Sequence, residues 1–333
     1  MDGRTTMTAV EAQTPASAAL SRRVVRVPVG GRYVLRRAAT GLVAIWGAIT
    51  LVFFALYSTG NPAVMLIAPD APAGELERVT RLYGFDRPIY EQYVRFFGAV
   101  LSGNFPESIR YESDPMGIVV SRLAPSITLG VAALLFGIVI GGAIGYVSAT
   151  SSSPLLRKLP VSVATALDAI PGFFLALLLV LLFSVTWNIL PPRGSGSLAH
   201  LVLPAVTLGI YFVPTIARVF RTAVVDVLES DHVRTARSKG IGQVRLTLRH
   251  IVGNSLGSTF NVLGIQAGVL LGGAVITESI FSWPGVGQLS INAVQNRDYP
   301  LVIACVLVIA IGFVVINLLV DVLSVVFDPR ISS

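Results

Sequence analysis

Apolar residues in this chain gather into long runs separated by short polar stretches, a pattern that predicts helices crossing a bilayer. A spanning helix needs about 20 predominantly apolar residues, and the first such run, Ala38 to Tyr57, follows Arg32, Arg36 and Arg37. Further runs extend from about Pro125 to Ala149, Val161 to Trp187, Leu198 to Val219, Ser258 to Thr277 and Leu301 to Val326. The expected fold is all-α, a polytopic membrane protein with six transmembrane helices and both ends on one side. The first run exceeds the roughly 7–15 apolar residues of a cleaved signal, so it reads as a retained anchor.

These runs divide the chain into a flexible cytoplasmic tail at 1–31, a first transmembrane helix at 32–57, an extracytoplasmic cap segment at 58–118 and a five-helix core at 119–331. The core carries a cytoplasmic loop at 221–257. The tail is rich in Thr, Ala, Ser and Arg without helical period. The cap has helix-compatible spacing over Glu75 to Leu82 and Tyr90 to Leu101, and its aromatic residues suit packing on the core, the headgroup region or a partner.

Composition agrees with the pattern: 53% of the 333 residues are hydrophobic and 13% charged, with a mean hydropathy of +0.75. Soluble domains carry roughly 25% charge, so an ordinary soluble enzyme is excluded. A net charge of +7 would suggest nucleic acid in a soluble protein; here its distribution reads as topology. Basic residues cluster before the first run, at Arg157 and Lys158, and between Arg218 and Arg249, whereas the short loops on the other side hold only Arg193 and Arg297. The positive-inside rule then places both termini in the cytoplasm. A single Cys305 and three scattered histidines offer neither a disulfide framework nor a metal cluster.

Gly137, Gly141 and Gly145 in the second run, and Gly264, Gly268 and Gly272 in the fifth, recur every four residues. Small residues at that spacing let helix backbones approach closely in lipid. Pro171, Pro204 and Pro214 are expected to bend their helices. Charges inside spans are costly and are functional candidates by default, which singles out Asp168, Asp321 and Glu278 at the end of the fifth run. From Glu278 the chain reads through Phe281, Trp283, Pro284, Gly285 and Gly287. The stretch Ser282 to Asn296 is too interrupted to span, so it reads as a re-entrant or interfacial element at the pathway or outer gate, with a passive connector as the alternative. Its proline and glycines are expected to hold a tight bend.

The loop after the fourth run carries a short amphipathic helix started by Ser230 or Asp231 and ended by Gly240. Val233 and Ala236 share one face and the charged residues lie on others. On physical grounds such a helix rests on lipid or enters a groove on a soluble partner.

The stretch from Asp231 to His250, DHVRTARSKGIGQVRLTLRH, resembles the coupling-helix motif of binding-protein-dependent ABC importer permeases, in particular the B-type subunit of the oligopeptide, dipeptide and nickel subfamily. Other segments agree in order: GFDRPIYEQY from Gly84, LVLPAVTL from Leu201, LGGAVITESIF from Leu271, PGVG from Pro284, RDYP from Arg297 and DPRI from Asp328. Where the wider class starts this loop with Glu-Ala-Ala and later has Ile-x-Leu-Pro, this chain has Arg234, Thr235 and Ala236, then His250 to Gly253; Gly240 keeps the shared glycine.

The resemblance implies a type I importer fold in a bacterial inner membrane and a non-catalytic permease subunit. It implies that Asp231, Val233, Arg234, Thr235, Ala236, Arg237, Lys239 and Gly240 couple to an ATPase, with Val233 and Ala236 as the apolar contact and Arg234 or Arg237 at the groove rim. The chain has no GxxxxGK[ST] phosphate loop, so no cofactor is expected on it and ATP and Mg belong to partner ATPases. The implied partners are a homologous C-type permease, two ATPase subunits or one fused ATPase, an extracytoplasmic substrate-binding protein and membrane lipid. Di- or oligopeptides are the expected cargo. Alternatives are a nickel-chelate or other small-solute importer permease, or an ion-driven secondary transporter using Asp168, Glu278 and Asp321.

Overall fold

A computed structural model describes residues 31–58, 60–65, 67, 71–253, 255, 266 and 274–327. The tail, Gly264, Gly268, Gly272, most of the expected fifth span, the side chain of Asp321 and the segment after Phe327 lie outside the described residues. Among the described residues all regular structure is helical. Among the described residues, four helices are long and apolar enough to cross a membrane: Leu35–Tyr57, Pro115–Thr150, Leu198–Leu228 and Tyr299–Val320.

The first span is α1 (Gly31–Tyr57). The connection after it folds into α2 (Glu75–Tyr83) and α3 (Ile89–Leu101), and Phe96 of α3 is buried with Ile49 and Phe53 of α1 and Ile303. Helix α4 (Pro115–Thr150) opens on Asp114, whose carboxylate accepts the Met116 and Gly117 N–H groups, with proline at the first turn. Its 36 residues make a rod of about 54 Å, longer than the roughly 30 Å hydrocarbon layer, so α4 reaches beyond the bilayer core.

The expected third span is not one helix. Helix α5 (Pro154–Asp168) ends and α6 (Gly172–Leu179) begins at a bend of 104°, after which α6 runs on as a π-helix over Val180–Thr186. Pro171 has no N–H and pushes Ile170 out of helical geometry, while the Tyr211 hydroxyl donates to the Ile170 carbonyl at 2.7 Å.

The expected fourth span instead runs nine residues further, to Leu228. Helix α7 (Leu198–Gly209) passes through a 3-10 turn at Ile210–Phe212 into α8 (Val213–Leu228). Past Val219 the sequence turns amphipathic, keeping Phe220, Ala223 and Val224 buried.

Helices α4 and α8 cross at the glycine row. A methyl group on Gly137 would meet Phe212 Cβ at 2.8 Å, one on Gly141 would meet Ile216 Cβ at 2.9 Å, and one on Gly145 would meet the Ala217 carbonyl at 2.7 Å. Gly209 answers from the other side, where an added methyl would meet the Ala133 carbonyl at 2.6 Å. Further helices are α9 (Asp231–Ser238), α10 (Gln243–Arg245) continuing as a π-helix over Leu246–Val252, α11 (Val286–Gln295) and α12 (Tyr299–Phe327), and residues 274–280, which carry Glu278, are also helical.

Candidate functional site

The residues singled out in the sequence fall into separate places that one helix connects. At one end of α4 is the loop that carries α9. Val233 and Ala236, expected as the apolar contact for a partner, are 0% and 5% exposed and packed inside this chain against Phe220, Val224, Leu246 and Ile251. The correction has a simple cause: an eight-residue helix cannot hold itself together in water, and its only apolar face is taken by the core beneath it. Asp231, Arg234, Thr235, Arg237, Lys239 and Gly240 are exposed. The Asp231–Arg234 pair, at 3.9 Å with side chains 99% and 76% exposed, adds little stability. Gly240 has φ +70°, the left-handed geometry that favours glycine after a helix, and the Ile241 N–H closes the turn on the Ala236 carbonyl at 3.3 Å. The loop is tied to α4 by a 3.0 Å hydrogen bond between the Tyr146 and Thr247 hydroxyls.

Toward the other end of α4 lies a buried carboxylate. Glu278 is 1% exposed; it accepts from the Ser126 hydroxyl at 2.7 Å and the Gln288 N–H at 3.0 Å, and also from the Gly287 N–H. Ser126 in turn accepts the Val286 N–H at 2.8 Å. Glu278 and Ser126 therefore satisfy the first N–H groups of α11, whose own N-cap, Gly285, has no side chain to do so. The positive end of the α11 dipole favours the carboxylate there.

The expected bend chemistry is also corrected at this site. Gly285 and Gly287 have no positive φ, and the left-handed residue is Ser282 at +50°. The glycines serve close approach: a methyl on Gly285 would fall on the Glu278 carboxylate, and one on Gly287 would meet Val275 Cα at 2.6 Å. The stretch expected to be a re-entrant or interfacial element contains the ten-residue α11, entered through the turn at Pro284. Trp283 is buried and donates its indole N–H to the Pro125 carbonyl at 2.9 Å, and buried Phe281 packs with Ala176 and Leu203. Trp283 thus ties the turn before α11 to α4, while Phe281 holds it against α6 and α7.

Asp168 stands apart, exposed at the bend between α5 and α6. Asp298 was absent from the candidates, yet it is fully buried. It accepts the Leu301 N–H at 3.2 Å, capping the start of α12, and also the Ser108 hydroxyl at 2.5 Å and the Ile109 and Arg110 N–H groups at 3.2 and 3.1 Å. Asp followed by Tyr and Pro at a helix start is a readable cap signal; its hold on the 108–110 turn has none. Ser126 and Tyr146 likewise carry no local signature. Among the described residues no cluster of metal-ligating side chains occurs.

Residues 133–333 match the family of binding-protein-dependent transport system inner membrane components. The glutathione transport system permease protein GsiC of Escherichia coli strain K12 is 33% identical over 300 residues, 90% of this chain and 98% of that protein. Its counterpart in Salmonella paratyphi A is 34% identical with the same coverage.

The chain belongs to this family. It is a membrane-embedded permease of the dipeptide and oligopeptide type of ABC importer. The inward-facing MetNI methionine ABC transporter contains a chain that aligns with a TM-score of 0.55 at 16% identity, covering 65% of this chain and 99% of that one, which shows a shared type I importer permease fold. A permease of this fold works with a second permease, an ATPase and a substrate-binding protein.

Proposed function

We propose that this subunit forms half of the translocation pathway of an ATP-driven importer of di- or oligopeptides, with α9 and both chain ends in the cytoplasm. The observation that carries this reading is the two-sidedness of α9: one face is locked into the chain's own core and the other is exposed and polar throughout. A helix held in that way transmits displacement instead of yielding to it, so an ATPase seated on the outer face moves α8 and α4 with it. Ser126 and Tyr146 lie 20 residues apart on α4, about 30 Å, so one rigid rod links the coupling loop to the Glu278 clamp across the thickness of the bilayer. The clamp is the outer gate on this reading. ATP and Mg act on the partner ATPases, two subunits or one fused, and the second permease is a C-type homologue.

Asp168 is the pathway residue. It is exposed at the bend between α5 and α6, and a carboxylate within the membrane is costly against lipid, so it faces a water-filled path or the partner permease. Peptide cargo is supported by the relatives named for glutathione, itself a short peptide. The basic residues flanking α9 support the orientation. The test is uptake of labelled di- and tripeptides, glutathione and a nickel chelate into sealed proteoliposomes holding the assembled transporter and its binding protein. Peptide uptake that requires ATP and survives an uncoupler is expected; uptake that collapses with the uncoupler alone contradicts the proposal.

A further inference from the structure

A cavity of about 560 Å3 lies where α3 and the turn after it meet the ends of α1 and α12, within the size range of small-molecule sites. It is remote in sequence from α9, Asp168 and Glu278, none of which lines it. Its floor is aromatic, formed by Tyr57, Phe96 and Tyr299, the last two buried. Around it stand Arg95, Glu107 and Glu112, all exposed and without a side-chain hydrogen bond or ion pair among the described residues.

Arg78, Arg81 and Arg87, which precede Arg95 in the same connection, pair with Glu75, Glu77 and Glu91; Arg95 has no such partner. The glutamates sit on a fixed support. Ser108 is bonded to Asp298, its N–H donates to the Ser113 carbonyl at 3.0 Å, and the Glu112 N–H donates to the Ser108 carbonyl at 2.9 Å. Glu112 itself holds φ +48°, a geometry in which glycine costs less, so the turn keeps a carboxylate where its backbone does not favour one.

We propose that this cavity binds a small zwitterion with an apolar side chain, the chemistry shared by free amino acids and short peptides. Its carboxylate pairs with the planar, two-pronged guanidinium of Arg95, its ammonium group with Glu107 and Glu112, and its side chain lies on the aromatic floor. The site rests on the orientation proposed above only for the side from which the ligand arrives, which is extracytoplasmic.

The test is equilibrium dialysis of tritiated glycyl-phenylalanine against the assembled transporter in lipid nanodiscs, with neither binding protein nor ATP. Saturable binding is expected, weakened about tenfold or more, the loss of one good charged contact, by N-acetylation, by C-amidation, by Arg95→Gln and by Glu107→Gln with Glu112→Gln. Arg81→Gln, which lies off the cavity, is expected to leave binding intact and serves as the control for folding. No saturable binding by the wild type, or binding that the cavity variants leave unchanged, overturns the proposal. ATP-driven uptake by the same proteins in sealed proteoliposomes with the binding protein separates the two readings. Uptake without cavity binding sinks only this one, and cavity binding without ATP-driven uptake sinks only the import reading.

Discussion

The loop that carries α9 and the turn that follows Glu278 both read in the sequence as functional motifs, yet the fold uses them in opposite ways. In the turn, Glu278, Phe281, Trp283, Gly285 and Gly287 are all buried; Glu278 and Trp283 cap α11 and join its turn to α4, and Phe281 packs on α6 and α7. On α9 only Val233 and Ala236 are taken by the core, and the remaining residues have no structural task that would require them. A distinctive sequence motif is thus not by itself a contact surface. Where packing already accounts for a residue, its role is to hold geometry; where packing leaves it exposed on a rigid support, it is available to a partner.

The comparison breaks most severely at the clamp. Gly285→Val places side-chain atoms on the Glu278 carboxylate, and overpacking of this kind costs about 1–3 kcal/mol or more. The expected outcome is failure to recover folded protein in gel filtration from detergent. Glu278→Leu removes the acceptor for two helix N–H groups and the Ser126 hydroxyl. Each unsatisfied group costs about 1–3 kcal/mol, so a large fall in melting temperature is expected with the ATPase contact retained in whatever protein folds.

Next comes a pair on α9 that separates its two faces. Ala236→Glu buries a charge beside Phe220 and Val224, at a cost of several kcal/mol, and is expected to open the loop to proteolysis and to release the ATPases. Thr235→Glu, on the exposed face, is expected to release the ATPases with the loop still protease-resistant. Limited proteolysis with co-purification distinguishes them; equal protease resistance of both variants contradicts the placement of Ala236.

Smaller effects sharpen the outer face. Arg234→Ala with Arg237→Ala is expected to change the melting temperature by little, because exposed substitutions stay within about 0.5 kcal/mol, while lowering ATPase recovery about tenfold. Gly240→Ala forces a side chain into φ +70°, a change of about 1–2 kcal/mol, seen as a modest drop in melting temperature.

Much of the fold was legible in the runs of apolar residues, because a bilayer demands length and apolarity that few other contexts produce. The two departures in the spans have local causes that outweighed the run: Pro171 breaks the third, and Phe220 and Val224 carry the fourth beyond its last uniformly apolar residue. The end of α9 was readable from Gly240, whose left-handed geometry is local chemistry; Ser230 marks the start by position, but its hydroxyl donates to the Val227 carbonyl and makes no cap bond. The buried side of α9 was not readable, because whether Val233 meets the chain's own core or a partner depends on Leu246 and Ile251 folding back over it. Glu278 stood out as a charge at the end of a span, but its partner Ser126 lies 152 residues away. The glycines near it were legible as special, and the reason for them, room for a carboxylate, is a property of the assembled fold alone.

The central claim is that the outer face of α9 seats the ATPase, and maleimide labelling of Thr235→Cys and Ser238→Cys tests it most directly. The native Cys305 is fully buried and leaves the background low. With ATPase subunits bound, labelling at both positions is expected to slow about tenfold or more, while exposed Ser195→Cys, in the loop before α7, labels at an unchanged rate. Equal labelling of Thr235→Cys and Ser238→Cys with and without bound ATPases contradicts the account.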